Sequence, residues 1–286
     1  MMGASKYLPL SVWRRRKGAH MEQKKLALVG CGFLGGIVAE AYAKGLLEGY
    51  ELVGAFSRTA EKTAALAART GCKACASLDE LLALKPDYVV ETASVEMVKQ
   101  MALPVLSHGA SLVLISIGAL ADEEFRARVE SAARENGVKV HLASGAVGGF
   151  DVLRTITLMA QAQGLPETAG IVTHKGPQSL KNTPVFQEKL MTDTEETAVL
   201  SGTAAQAIAV LPTKVNVAVA ASLATTGPDR ASAEIVSVPG FTGDDHCITA
   251  EIDGVKAVVD IYSRTSAIAG WSVVALLRNL ASPIMM

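Results

Sequence analysis

The apolar run Leu26-Ala27-Leu28-Val29 leads directly into Gly30-Cys31-Gly32-Phe33-Leu34-Gly35, and a helical segment over 37–44 follows. A short buried strand, a tight glycine turn and a helix start, in that order, admit few folds. Gly30 permits the turn, Gly32 lets backbone approach a pyrophosphate, and Gly35 lets the helix lie close on the strand. A helix that begins here aims its unpaired amides, from Phe33 and Leu34 onward, at an anion. The motif alone is a weak signal. Its place between strand and helix favours a dinucleotide site over a purely structural turn.

Strand patterns recur at 25–30, 51–56, 73–76, 87–92, 111–116 and 138–142, with helical patterns at 33–45, 59–69, 78–83, 95–107 and 122–136. Short apolar runs separated by amphipathic helices imply parallel pairing through crossovers. The fold class is therefore α/β: a Rossmann-type, doubly wound parallel sheet with its ligand at the carboxyl ends of the strands. The pattern changes after His141. Segments 147–162 and 195–226 read as alanine-rich helices, and alternating runs at 233–238, 246–252 and 255–262 read as strands, the last two joined by an Asp253-Gly254 turn. These imply an α+β catalytic domain over 144–264. The final segment, 266–280, reads as a helix with Trp271, Val274, Leu277 and Leu280 on one stripe. It is expected to return to the first domain, which comprises 21–143 plus 265–286.

A chain of 286 residues, half of them hydrophobic and 19% charged, has enough apolar surface for two lobes. A net charge of −1 and 5% aromatic content disfavour nucleic acid and anionic membranes as partners. No apolar run reaches membrane-spanning length; the longest uncharged stretch, 197–213, reads as a helix. Cys31, Cys72, Cys75 and Cys247 form no disulfide framework, so a cytoplasmic location is expected. Cys72 and Cys75 have C-x-x-C spacing without a second pair or a neighbouring His, and no metal is expected. Residues 1–20, with the basic run Trp13-Arg14-Arg15-Arg16-Lys17, read as a disordered extension before Met21.

In this fold an acidic residue at the end of the second strand accepts hydrogen bonds from the adenosine ribose when the cofactor is NAD. Here the place is held by Ser57, with Arg58 next. A hydroxyl and a guanidinium suit a 2′-phosphate, which a carboxylate would repel. The pair favours NADP, or dual use of NADP and NAD with NADP preferred.

Four further segments carry a resemblance. Ser144-Gly145-Ala146-Val147-Gly148-Gly149-Phe150-Asp151 resembles the small-residue turn that leads into the catalytic lobe of L-aspartate dehydrogenases. Leu211-Pro212-Thr213-Lys214-Val215-Asn216-Val217-Ala218 is similar to their F-P-x-N-V-N-V-A segment. The run 245–254 resembles the one that bears their catalytic histidine, and Ser263-Arg264-Thr265-Ser266 their lead-in to the last helix. With the glycine turn, the likeness spans roughly 24–282. It implies that Ala146 contacts cofactor through its backbone, that Asn216 lies on the nicotinamide side and that His246 is the acid/base. It further implies a homodimer, for which the alanine-rich stretch 199–225 offers an interface, and a small amino acid as substrate. The expected reaction is oxidative deamination of L-aspartate through iminoaspartate, which could feed NAD synthesis.

Such chemistry needs a base that works near neutral pH, for which histidine is best suited. Of His20, His108, His141, His174 and His246, the residues alone leave His174 and His246 open; the resemblance favours His246. Asp244 and Asp245 either bias its imidazole or form a solvated turn. A dicarboxylate also needs cations, and Lys175, Lys181, Lys214 and Arg154 are the candidates, Lys175 and Lys214 foremost. Two other readings stay open. One is a relative of dihydrodipicolinate reductase or homoserine dehydrogenase. The other is a non-catalytic redox regulator that keeps 30–35 but needs no His246.

Overall fold

Buried strands that pair in parallel must hide both faces, and the apolar runs of the first half do so by alternating with helices. The computed structural model describes residues 23–285; the extension read over 1–20 lies outside the described residues. In chain order the first half comprises β1 (Lys24–Val29), α1 (Phe33–Ala43), β2 (Tyr50–Phe56), α2 (Ala60–Thr70), β3 (Lys73–Ala74), α3 (Leu78–Leu82), β4 (Tyr88–Glu91), α4 (Val95–Ser107), β5 (Ser111–Leu114), α5 (Glu123–Glu135) and β6 (Val140–Leu142). The strands form one sheet in the order β3-β2-β1-β4-β5-β6, all parallel. This is the expected doubly wound sheet, and the order reverses between β1 and β4, where a crevice opens. Local chemistry sets the helix starts: Ser77, Ser94 and Asp122 each accept a hydrogen bond from a first-turn amide.

The second half holds α6 (Phe150–Gln163), β7 (Thr168–Lys175), α7 (Pro177–Leu180), β8 (Thr197–Thr203), α8 (Ala204–Val210), α9 (Asn216–Leu223), β9 (Ser232–Ser237), β10 (Asp244–Ile252) and β11 (Val255–Ser263). Its sheet runs β11-β10-β7-β9-β8 and is mixed, since β7 and β9 are parallel while the other pairs are antiparallel. Leu153, Ile156, Ala160, Ala218 and Val219 from the helices meet Ile171, Ile235, Ile248 and Ala250 from the sheet in one buried core. Gly254, at φ +77°, carries the β10–β11 turn.

Two expectations are corrected. The segment 195–226 is not one helix: its first part is the edge strand β8. Thr203 then starts α8 through a capping box with Gln206, and the chain breaks around Pro212 before α9 begins. Within the stretch 199–225, Ala218 to Ser222 of α9 are buried in their own lobe, while β8 and the residues 212–214 keep exposed positions. In the last helix, α10 (Ala267–Leu280), Val274 and Leu277 are buried as expected, but Trp271 is 42% exposed and Val273 completes the buried stripe.

Helix α10 returns to the first sheet as expected. Gly270 lies so close to α1 that a Cβ there would sit 2.8 Å from the Ile37 side chain. The buried Tyr50 hydroxyl donates to the Leu277 carbonyl at 2.9 Å, tying β2 to the chain's last helix. Tyr50→Phe is expected to lower unfolding free energy by about 1 kcal/mol, read from urea melts, because one buried hydrogen bond is lost with little change of shape.

Candidate active site

At the end of β1 the glycine turn is constrained from both sides. Gly30 has φ +102°, and a Cβ there would lie 2.6 Å from the Thr92 backbone. A Cβ on Gly35 would lie 1.9 Å from the Gly30 carbonyl oxygen. Gly32 is different, since nothing lies within 4 Å of its would-be Cβ. It precedes α1 without a side-chain cap, and the first turn carries no acidic residue. Open backbone before uncapped amides fits a diphosphate. Phe33 is exposed beside it, and Leu34 turns toward the crevice.

Beyond β2, the Ser57 hydroxyl bonds to the Thr59 carbonyl (3.0 Å) and the Thr63 hydroxyl (2.9 Å), which fixes the loop on which Arg58 stands. Arg58 is exposed and makes no hydrogen bond or ion pair among the described residues. Its guanidinium is free for an anion.

A cavity of about 280 Å³ lies between the lobes. The first sheet contributes Leu34, Thr92 to Val95 and Ser116; the turn after β6 contributes Ser144 to Ala146. The second lobe contributes Lys175, Lys214, Asn216, Asp244 and His246. Thus Leu34, Ala146, Asn216, His246, Lys175 and Lys214, expected from scattered segments, line one space. Gly30, Gly32, Phe33, Gly35, Ser57 and Arg58 lie outside its lining.

Several of the polar groups that line the cavity are held by protein partners. The buried Lys175, at the end of β7, pairs with Asp244 at 2.6 Å across the β7–β10 register. Burial lowers its pKa, and Asp244 opposes that shift. Lys214 is exposed on the loop before α9. The Asn216 Oδ1 accepts from the Gly118 amide at 2.9 Å, so this side chain spans the lobes. His246, on β10, is 3% exposed, and its Nδ1 lies 2.9 Å from the Thr173 hydroxyl. Burial and then the neighbouring Lys175 push its pKa down from 6.5 to about 4, against the pull of Asp244. The ring is therefore neutral at physiological pH. Because the folded value is the lower one, acidification from 6.5 toward 4 favours the unfolded chain.

The alternative candidates lie elsewhere. His174 points to the other face of β7, its Nδ1 3.6 Å from Asp245. Asp244 thus serves Lys175 and the imidazole, whereas Asp245 faces His174. His108 ends α4 with Nδ1 on the Pro104 carbonyl, and Lys181 and Arg154 are exposed away from the cavity.

Two polar residues at the crevice escape sequence reading. Thr173 looks like any β-branched strand residue. Glu91 closes an apolar strand at the switch point and is fully buried. Its carboxylate accepts from the Ser116 amide (3.0 Å), the Ser116 hydroxyl (2.9 Å) and the Ala93 amide (2.6 Å). Burial raises its pKa, and those bonds oppose the rise. It fastens two loops of the cavity wall together. A carboxylate ending an otherwise apolar strand was the available signal. Glu91→Ala is expected to cost about 3 kcal/mol of stability in urea unfolding, since it strands two buried amides. A loss under about 0.5 kcal/mol, the range of ordinary surface changes, would refute that role.

Comparison with known proteins extends the picture. A family profile described as aspartate dehydrogenase, C-terminal, matches residues 156–280, and one described as homoserine dehydrogenase, NAD binding domain, matches 30–143. An L-aspartate dehydrogenase of Methanococcus maripaludis is 30% identical over 269 residues, covering 91% of this chain and 98% of the relative. One from Methanosarcina barkeri is 32% identical with the same coverage. The crystal structure of aspartate dehydrogenase from Thermotoga maritima aligns with a TM-score of 0.70 at 26% identity, over 93% of this chain and all of that one.

Proposed function

Since the chain belongs to the L-aspartate dehydrogenase family, a family of NAD(P)-dependent amino-acid dehydrogenases, we propose that it oxidatively deaminates L-aspartate. Aspartate, water and oxidised cofactor give oxaloacetate, ammonia and reduced cofactor, with iminoaspartate between. The observation that carries this reading is the shared cavity, where a buried neutral imidazole, two lysines and the inter-lobe asparagine meet the end of the glycine turn.

Gly30, Gly32, Phe33, Leu34 and Gly35 would hold the diphosphate, Ala146 would offer its backbone, and Asn216 would stand on the nicotinamide side. When bound, the nicotinamide accepts a hydride from the α-carbon of the amino acid. Lys175 and Lys214 attract the two carboxylates, with Asp244 keeping the buried Lys175 charged and in place. His246 takes a proton from the water that attacks the imine carbon and returns it to the departing amine. Its lowered pKa keeps the ring unprotonated, and so open to a proton, across the neutral range, at the cost of weaker basicity. Burial in the crevice keeps bulk water from competing for it.

The reading assigns 21–143 plus 265–286 to the dinucleotide-binding domain and 144–264 to the catalytic and dimerisation domain of a cytoplasmic homodimer. Among the described residues no helix is long and apolar enough to cross a membrane. Iminoaspartate, if released, would supply NAD synthesis. NADP is the favoured cofactor, supported by the unpartnered Arg58 beside Ser57.

His246→Ala should keep cofactor binding, measured by fluorescence titration, and lose about 10²- to 10⁴-fold in kcat on L-aspartate, the usual worth of a general acid/base. Full activity in that variant would remove the assigned base. Replacing Ser57 by Asp together with Arg58 by Ala should move the NADP/NAD preference toward NAD by about tenfold or more, the worth of one charge-assisted contact. An unchanged kcat/KM ratio would end the NADP assignment.

A further inference from the structure

We propose that Thr173 is a positioning residue for the reaction, fixing His246 in the one tautomer that can act as base by accepting a hydrogen bond from its Nδ1–H. The proposal rests on the acid/base reading of His246 and adds a residue and a direction to it.

Thr173 and His246 are directly opposed in the antiparallel β7–β10 pair, so their side chains share the inner face of the sheet. Both are buried, at 4% and 3% exposure. The 2.9 Å contact between Oγ1 and Nδ1 is the one hydrogen bond either side chain makes among the described residues. The β-branch restricts the rotamers of Thr173 and so holds its oxygen in place. Nε2 is left with no protein partner among the described residues.

A neutral imidazole carries one ring proton. If the threonine hydroxyl donated, that proton would sit on Nε2 and no free lone pair would face the cavity. If the hydroxyl oxygen accepts, leaving its own proton without an acceptor among the described residues, the ring proton sits on Nδ1 and Nε2 is a base. When Nε2 takes a proton from water, the Nδ1–H already points at Oγ1. The bond then becomes charge-assisted and stabilises the imidazolium. That support matters because burial and Lys175 disfavour the cation, Asp244 alone among the charged neighbours favours it, and β11 offers only Ile261 opposite the ring.

The test uses the full-length enzyme with L-aspartate and cofactor. Thr173→Val keeps the shape and removes the oxygen, whereas Thr173→Ser keeps the oxygen. In Thr173→Val, kcat should fall by about 10²- to 10⁴-fold, the worth of a general base that a wrong tautomer removes, with KM for aspartate little changed. The acid limb of its pH–rate profile should move to lower pH, because the imidazolium has lost its acceptor. Thr173→Ser should restore both. Nitrogen-15 NMR of the wild-type protein should show Nδ1 protonated and Nε2 bare, and Thr173→Val should lose that preference. A wild-type ring with its proton on Nε2 overturns the proposal whether or not the valine variant folds, as does an unmoved tautomer and pH limb in that variant. The NMR readout needs no turnover. A fully active His246→Ala beside a Thr173-dependent tautomer would instead fault the acid/base reading.

Discussion

The crevice depends on how near the first helix comes to the first strand. With no side chain on Gly35, α1 begins where a Cβ would lie 1.9 Å from the Gly30 carbonyl, far inside any permitted contact. That approach puts the amides of the helix start beside the sheet edge and leaves Gly32 facing open space. It also places the first turn of α1 against the loop after β4, where Thr92 bonds the Gly30 carbonyl at 2.7 Å. The wall of the cavity is built outward from that contact.

Around it the protein keeps several ionisable groups out of water, each compensated differently. Glu91 is held by amides and a hydroxyl, Lys175 by a carboxylate, and His246 by giving up its charge. The three solutions differ in kind. The first fastens loops, the second keeps a cation available at the end of a strand, and the third leaves an imidazole whose basicity is expressed only when something offers it a proton.

Much of the fold was legible because its signals are local. The first-half strands and helices begin and end within a few residues of where periodicity and caps put them, as with 95–107 and Val95–Ser107. The glycine turn was legible for the same reason. The second half was harder. Strand β8, Thr-Ala-Val-Leu-Ser-Gly-Thr, lies at a sheet edge with little burial to impose alternation, and the alanine-rich helices beyond it drew the reading toward helix. Trp271 looked like core by its chemistry, yet α10 meets α1 at Gly270 and buries Val273, leaving Trp271 exposed. At the site, the cavity-lining residues of both lobes could be proposed from motif neighbourhoods. The partners of His246 and of Glu91 could not, because Thr173 and Ser116 meet them only through strand register across 73 and 25 residues.

The return of α10 has a consequence for biosynthesis. The first domain is written in two separated stretches: its sheet precedes the second lobe, and the helix that covers Ile37, Val38 and Tyr50 follows it. Nascent chains ordinarily mature domain by domain from the amino end. Here the dinucleotide-binding half waits with an uncovered apolar flank until Leu280 has cleared the ribosome, while the second half, complete by Ser263, can close first. A ribosome that stalls within α10 would thus hold a finished second lobe beside an unfinished first one.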